Sequence, residues 1–214
     1  MNSASQGVVA GNRFERRRER TRQDLLAAAT RVLAEKGLHR TKIADIAAAA
    51  DVGVGTFYLH FPDKETLFDA VVEDTVRRLK TTVDAARNKA RTALDKVRAS
   101  NVAFFRFARD NREVFKIVFG HGAAYEDLIR RAQALFIADV EETIHEGIAT
   151  GVFAPLSPAI VAQAVIGMAT QVIAWWTEHE SVPIETLIDT TTTLALRGIT
   201  PDAPKGASHG RART

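Results

Sequence analysis

The chain has 214 residues, 46% hydrophobic and 26% charged, with no cysteine. That length supports one large domain or two small ones around a sizeable core. The lack of cysteine excludes disulfides, thiolate metal sites and cysteine nucleophiles, and fits a reducing cytoplasm. Net charge is only +3, yet residues 1–64 hold 11 Lys/Arg against 7 Asp/Glu, while the remainder holds 18 against 19. A basic first third beside a nearly neutral remainder points to a polyanionic partner.

The opening "MNSASQGVVAGN" lacks the basic-then-apolar pattern of a secretion signal, so a cytoplasmic location is expected. Residues 1–19 read as a disordered arm, basic at its end: "NRFERRRERTR" (Asn12–Arg22) carries six arginines and two glutamates. From about Thr21 onward the chain reads as one helix after another, with no sustained period-two alternation. Leu25, Leu26, Ala29, Val32 and Leu33 form an apolar stripe that ends at Gly37. Thr41 is the expected N-cap of a short second helix with Ile43, Ile46, Ala47 and Ala50 inward. Asp51-Val52-Gly53 breaks that helix. Val54 to His60 then makes barely two turns, and Asp63 caps the next helix, whose inner stripe is Leu67, Phe68, Val71, Val72 and Leu79.

Further helices are expected at about 85–109, 111–120, 124–149, 158–179 and 183–199, the last two opened by Ser157-Pro158 and Pro183. The expected fold is therefore all-α with about nine helices. Residues 201–214, "PDAPKGASHGRART", are Pro/Gly-rich and basic and read as a disordered tail.

The stretch "DVGVGTFYLHFPDKETL" (Asp51–Leu67) is not a phosphate-cradling loop. A dinucleotide fingerprint needs a third glycine where Tyr58 stands and a strand before the turn, but "TKIADIAAAADV" is helical. Two short helices joined by a glycine-containing turn instead make a helix-turn-helix. Phe57 and Phe61 share the inner side of the second helix. Val54, Gly55, Thr56, Tyr58 and His60 lie on or near its outer side, whose N-terminal end approaches base edges in a major groove. The Tyr58 hydroxyl and Lys64 are suited to phosphates.

The spacing T-x-x-x-x-I-A-x-x-A-x-V-x-x-G-T-x-Y-x-H-F-x-x-K-x-x-L, filled by Thr41, Ile46, Ala47, Ala50, Val52, Gly55, Thr56, Tyr58, His60, Phe61, Lys64 and Leu67, resembles the DNA-binding domain of TetR-family bacterial regulators. Two positions depart from that pattern: Asp51 stands where a turn glycine is frequent, and Gly53 where a capping serine or threonine is frequent. The resemblance implies a helix-turn-helix domain at 20–66 and a ligand-binding and dimerisation domain at 67–200. It also implies a homodimer on a palindromic operator of double-stranded DNA, usually as a repressor, and a small-molecule effector that moves the helix after the recognition helix. The implied DNA contacts are Arg17, Arg18, Arg20, Arg22, Thr41, Lys42, Val54, Gly55, Thr56, Tyr58, His60 and Lys64. The last two long helices would form the dimer bundle, with Ile160, Ala164, Ile184, Leu187, Thr191 and Leu194 as interface positions.

Ser157–Thr177 has no charged residue, but its two glutamines, Thr170 and lack of flanking basic residues favour a helix buried on most sides over a membrane span. Asn101–Gly122 holds five of the eleven phenylalanines. Together these segments suggest an apolar effector pocket lined by Phe104, Phe107, Phe119, His121, Phe136, Met168, Gln171, Val172 and Trp175, with Asn101 and Gln133 as further polar candidates. No cofactor, metal or catalytic residue is expected. The E-x-x-H at Glu142/His145, which would carry the alternative of an all-helical metal-binding enzyme, has no second copy. The G-x-S-x-G string around Ser208 has no strand before it.

Overall fold

The computed structural model describes residues 4–120, 122–179 and 181–201. Candidate His121, the Ser208 string and residues 202–214 of the expected tail lie outside them. The described residues form nine α-helices and no strand: α1 (Ala4–Arg40), α2 (Ile43–Ala49), α3 (Val54–Tyr58), α4 (Lys64–Lys89), α5 (Ala93–Asp110), α6 (Arg112–Gly120), α7 (Gly122–Ala149), α8 (Pro158–Trp176) and α9 (Ile184–Ile199).

Two stretches differ from the sequence expectation. The basic segment is not an irregular arm, since α1 starts at Ala4 and passes through it. After Gly11 the segment has no glycine or proline, and Arg and Glu are good helix formers. The Gln23 amide also donates to Glu19 one turn back, at 2.7 Å. The break expected between 80 and 85 is absent as well: α4 continues to Lys89, with no glycine or proline to stop it and with Leu79 and Val83 one turn apart and buried. The true start of the next helix carries a signal of its own: the Thr92 hydroxyl accepts from the Asp95 N–H at 3.1 Å and donates to the Asp95 carboxylate at 2.7 Å.

The chain divides into two compact units rather than at residue 66. The first comprises residues up to Thr81 and Phe107–Ile129; the second comprises Thr82–Arg106 and the residues from Arg130 onward. In the first unit, Leu25, Leu26, Ala28, Ala29, Val32 and Leu33 of α1 pack with Ile46, Phe57, Phe61, Leu67, Phe68, Val71 and Val72. Val114 and Ile117 of α6 belong to the same buried cluster, with Val118, Tyr125 and Leu128 packed against it. The helix-turn-helix therefore does not close its own core; α6 and the first turns of α7 complete it. Tyr125 is also hydrogen-bonded to Asp69 of α4, and burial, followed by that carboxylate, pushes its phenol pKa up.

In the second unit, Ala93, Ile144, Phe153, Val161 and Ile199 form a buried cluster with Val140, Ile148 and Val165 against it. The ion pairs Arg87–Asp139, at 2.8 Å, and Lys96–Glu146 tie α4 and α5 to α7. The Asn101 amide donates to the hydroxyls of Thr191 and Thr192 at 2.9 and 2.8 Å, fixing α5 to α9. Ser157 and Pro158 open α8 as expected, although the serine hydroxyl makes no cap bond. Pro183 sits at the N-cap of α9, one residue before the helix.

Helix α7 ends in a left-handed turn. Gly151 has φ 72°, its N–H donates to Ile148, and the N–H of Val152 reaches back to Gly147 at 2.9 Å. This is the Schellman pattern, for which glycine is the least strained residue. It folds Phe153 onto Gly147 so closely that a Cβ there would lie 1.9 Å from the ring. Gly147→Ala is therefore expected to lower stability by about 1–3 kcal/mol, the usual range for overpacking, as a fall in Tm. An unchanged melt would show that the ring moves aside freely.

Candidate DNA-binding site

The site is built on a turn that the sequence makes in an unusual way. Helix α2 ends where Asp51 takes φ 54°, the one positive φ among the described non-glycine residues. The N–H of Asp51 donates to Ala48 at 3.1 Å, and the N–H of Val52 donates to Ala47 at 3.0 Å. This is the same Schellman arrangement that ends α7, with aspartate in the glycine's place. Asp tolerates the left-handed region better than most residues but still bears part of its steric cost. The turn geometry survives the departure from the family pattern, and Val52 packs inward to hold the corner.

Gly53 then opens α3 with extended backbone and no side-chain cap. The second departure thus leaves the N-cap of α3 without a side-chain bond. Phe57 and Phe61 are fully buried, with ring centroids 5.9 Å apart. Their burial turns the opposite side of α3 outward: Val54 and Gly55 are exposed, Tyr58 is 53% exposed, and Thr56 and His60 are half-buried. The Tyr58 ring is held edge-on to Phe57 at 5.4 Å, which aims the phenol away from the core. A Cβ at Gly55 would meet nothing within 4 Å. No intramolecular crowding requires glycine there.

Helix α1 braces the pair. Arg31 donates to the Ala49 carbonyl at 3.1 Å, at the electronegative end of α2. Lys36 pairs with Asp45 at 2.9 Å, and the same carboxylate accepts the Lys42 N–H at 3.1 Å. The Lys36 hydrogen bond, then the Lys42 N–H, hold the Asp45 carboxyl below the usual carboxylate range. At the start of α4, Asp63 caps as expected, accepting the Thr66 N–H at 2.7 Å. Bonds from the Thr66 hydroxyl and N–H hold its pKa down in the same way.

Of the candidate contacts, Arg17, Arg18, Arg20, Lys42, Val54, Gly55 and Tyr58 are exposed, and Arg22, Thr56, His60 and Lys64 are half-buried. Thr41 is a correction. It is buried, with its hydroxyl donating to the Gly37 carbonyl at 2.8 Å, so it neither caps α2 nor reaches DNA. The N-cap position falls to Lys42. Two basic candidates also serve the fold: the Arg22 guanidinium lies 4.5 Å over the Phe61 ring, and Lys64 Nζ lies 3.4 Å from the Thr41 carbonyl and 5.4 Å from the centre of the Phe68 ring.

His60 follows α3 and neighbours Arg18, Arg22 and Glu19 of α1. Burial first, then the charges of Arg18 and Arg22, hold its imidazole below the ordinary pKa of 6.5, with Glu19 acting the other way. Sequence reasoning missed Phe14, which is 71% exposed one turn before Arg18. The signal available was that it is the sole apolar residue in the arginine run.

The effector candidates fall into separate units. Phe107, under the Arg78 guanidinium at 5.8 Å, and Phe119, beside Phe115, belong to the first. Phe104, Phe136, Met168 and Val172 are half-buried in the second. Gln171 and Trp175 are a correction. On α8 they lie with Ile160, Ala164 and Gly167 on the exposed side, opposite the buried Ala162, Ala169, Ile173 and Trp176. The expectation that α8 is buried on most sides fails for the same reason: one whole face is open and carries no charge. Among the described residues it is also the one helix long and apolar enough to cross a membrane.

Comparison with known proteins agrees with this geometry. Residues 25–71 match the profile of the bacterial regulatory proteins of the tetR family, and residues 90–199 match that of the tetracyclin repressor-like C-terminal domain. The chain belongs to the TetR family. Like the other members it is a DNA-binding transcriptional regulator. An uncharacterised HTH-type transcriptional regulator of Bacillus subtilis, YhgD, is 25% identical over 169 residues, covering 76% of this chain and 88% of the relative. The nucleoid occlusion factor SlmA of Actinobacillus pleuropneumoniae is 31% identical over 110 residues, and there the chain spans about half of the relative's length (54%). Among solved structures, the fatty acid degradation regulator FadR of Bacillus halodurans shares the fold with a TM-score of 0.70 and 21% identity, over 82% of this chain and 94% of that one. FadR of Bacillus subtilis, solved with stearoyl-CoA, gives 0.67 and 19%, over 83% and 98%.

Two outcomes follow for this TetR-family site. Asp51→Gly should raise stability by up to about 1 kcal/mol by relieving the left-handed strain, whereas Asp51→Val should lower it; equal Tm values would show that the turn stores no strain. Because folded His60 binds fewer protons than the unfolded chain, it favours unfolding as the pH drops below 6.5. His60→Gln should therefore reduce the loss of Tm between pH 7.5 and 5.5, and an unchanged loss would assign it to other groups.

Proposed function

We propose that the chain is a ligand-released repressor that binds a palindromic operator as a homodimer. The observation that carries the DNA reading is α3 itself. Its inner side is fixed by the burial of Phe57 and, just beyond it, Phe61, and its outer side presents Val54, Gly55 and the edge of Tyr58 away from Phe57. Gly55 lets a base edge or sugar approach the helix backbone, and Tyr58, Lys42, His60 and Lys64 supply phosphate partners around it. Arg17, Arg18, Arg20 and Arg22 add charge from α1. In this reading DNA contact resides in the first unit, while dimerisation and effector binding involve the second.

Two copies would meet through α8 and α9. The uncharged α8 stripe of Ile160, Ala164, Gly167, Gln171 and Trp175 recurs at three- and four-residue steps, the spacing of a helix seam. Ile160 is 70% exposed, and Leu194 of α9 is 60% exposed. Ile184, Leu187 and Thr191, expected at the interface, are instead buried within the protomer, so they support α9 rather than join the copies. Covering this stripe with a second copy also accounts for the apolar length of α8 in a cytoplasmic protein. Paired recognition helices would then address successive major grooves about 34–36 Å apart.

The effector reading is an apolar, acyl-chain ligand. Half-buried Phe104, Phe136, Met168 and Val172 offer apolar surface in the second unit, and a regulator of the same fold was solved with stearoyl-CoA. A catalytic role has no comparable support. Glu142 and His145 are exposed, and no group of metal-ligating residues occurs among the described residues.

Ile160→Glu should convert the dimer to monomer in sedimentation and weaken operator binding at least tenfold. A dimer that survives would remove α8 from the interface. In anisotropy titrations, affinity for a palindromic duplex should fall steeply with salt, by about 0.9 in log–log slope per phosphate neutralised. Long-chain acyl-CoA should raise Tm and release the DNA, and stabilisation by polar ligands alone would reject the acyl-chain reading.

A further inference from the structure

The extension of α1 ahead of its first buried residue, Leu25, is a preformed rod with an uneven surface. On a helical wheel Arg13, Arg16, Arg17 and Arg20 occupy one arc, Glu15 and Glu19 lie across from it, and Phe14 sits between Arg17 and Arg18. Phe14, Arg18 and Arg22 lie one turn apart in a row, on the same side of α1 as Leu25, Val32 and the rest of the core stripe. The near end of that row is fixed, because Arg22 covers the Phe61 ring. Arg18 comes next, close enough to His60 for its charge to be felt there. Phe14 is the far end, about 12 Å beyond Arg22 along the helix axis. A large apolar ring, 71% exposed, thus stands at the far end of a row whose near end covers Phe61, three residues past α3.

Among the described residues none covers the Phe14 ring enough to bury it. Its immediate surroundings fit a polyanionic partner with a narrow apolar-walled cleft. A B-DNA minor groove is about 6 Å wide and adjoins the major groove across one phosphate backbone. Arginines beside an apolar side chain are the pattern with which proteins enter that groove. A lipid surface fits less well. An interfacial helix needs an apolar face, and between Arg13 and Asp24 Phe14 is the sole apolar residue.

We propose that the N-terminal turns of α1 are a second DNA-contacting element, with the Phe14 ring seated in the minor groove adjoining the major groove that α3 enters and with Arg17 and Arg18 on the phosphates that flank it. This rests on the DNA-binding reading of α3 and extends the protein's footprint beyond it. The element is helical before it binds, so little conformational entropy is lost on docking.

The test uses the full chain and a duplex selected by it from a randomised pool. Phe14→Ala, which leaves the core intact and should melt like the unmodified chain, is expected to weaken binding about tenfold with the salt slope unchanged. It should also abolish hydroxyl-radical protection of the flanking minor groove. Arg17→Ala/Arg18→Ala should instead lower the salt slope by about 1.8. If the unmodified chain binds its duplex and Phe14→Ala changes neither affinity nor flank protection, the inference is wrong while the α3 reading stands. Loss in Phe14→Ala of binding to anionic vesicles, with DNA binding intact, would overturn it in favour of a lipid surface. Failure of the unmodified chain to select any duplex would overturn both readings.

Discussion

Burial of Phe57 and Phe61 is the interaction on which the candidate DNA-binding surface depends. A helix of five residues has no stability of its own in water, since its few internal hydrogen bonds do not repay the nucleation cost. Each ring contributes on the order of 2–3 kcal/mol by leaving water. Together they decide both that α3 exists and which way it faces, because fixing one side of so short a helix fixes the other. Helix α1 supplies the opposing wall through Leu25, Ala29 and Leu33 and holds α2 by its end and its start, through Arg31 and Lys36. The outward set of Val54, Gly55 and Tyr58 is a result of these contacts and not of any interaction among those residues.

The turn before α3 shows how a strained position can be retained. A Schellman closure needs one residue with positive φ, and the hydrogen bonds of Asp51 and Val52 to Ala48 and Ala47 impose it whatever side chain is present. The same closure occurs at Gly151, where glycine meets the demand without strain. The two turns have one geometry and differ in residue, so the backbone requirement comes from satisfying the last carbonyls of a helix and not from glycine itself.

Much of this was legible in the sequence. The apolar spacing of Leu25 to Leu33, the breakers Gly37 and Asp51–Gly53, and the paired phenylalanines four residues apart specify the helix-turn-helix through local periodicity alone. Three things were hidden, each for a physical reason. Thr41 carries a good capping side chain, but a neighbouring carbonyl at Gly37 competes for its hydroxyl, and sequence does not show which partner wins. The exposed stripe on α8 could not be separated from its buried stripe, because both are apolar and a uniformly apolar helix has no period to read. The break at Ala90–Thr92 lacks glycine and proline, and its marker is the Thr92 hydroxyl cap on the Asp95 N–H.

The place of α6 in the first core has a consequence for how such a regulator can be taken apart. Val114 and Ile117 arrive from a segment that lies beyond an entire intervening helix in the sequence, yet they share one buried cluster with Leu25 and Phe57. The DNA-reading head is consequently not a module with clean edges. A chimera that joined this head to another sensor at residue 81 would leave the flank normally covered by α6 open to water, and would need a replacement helix with apolar residues at the same two positions. Recombination of this head with another sensor is thereby constrained by a pair of side chains buried inside the first unit.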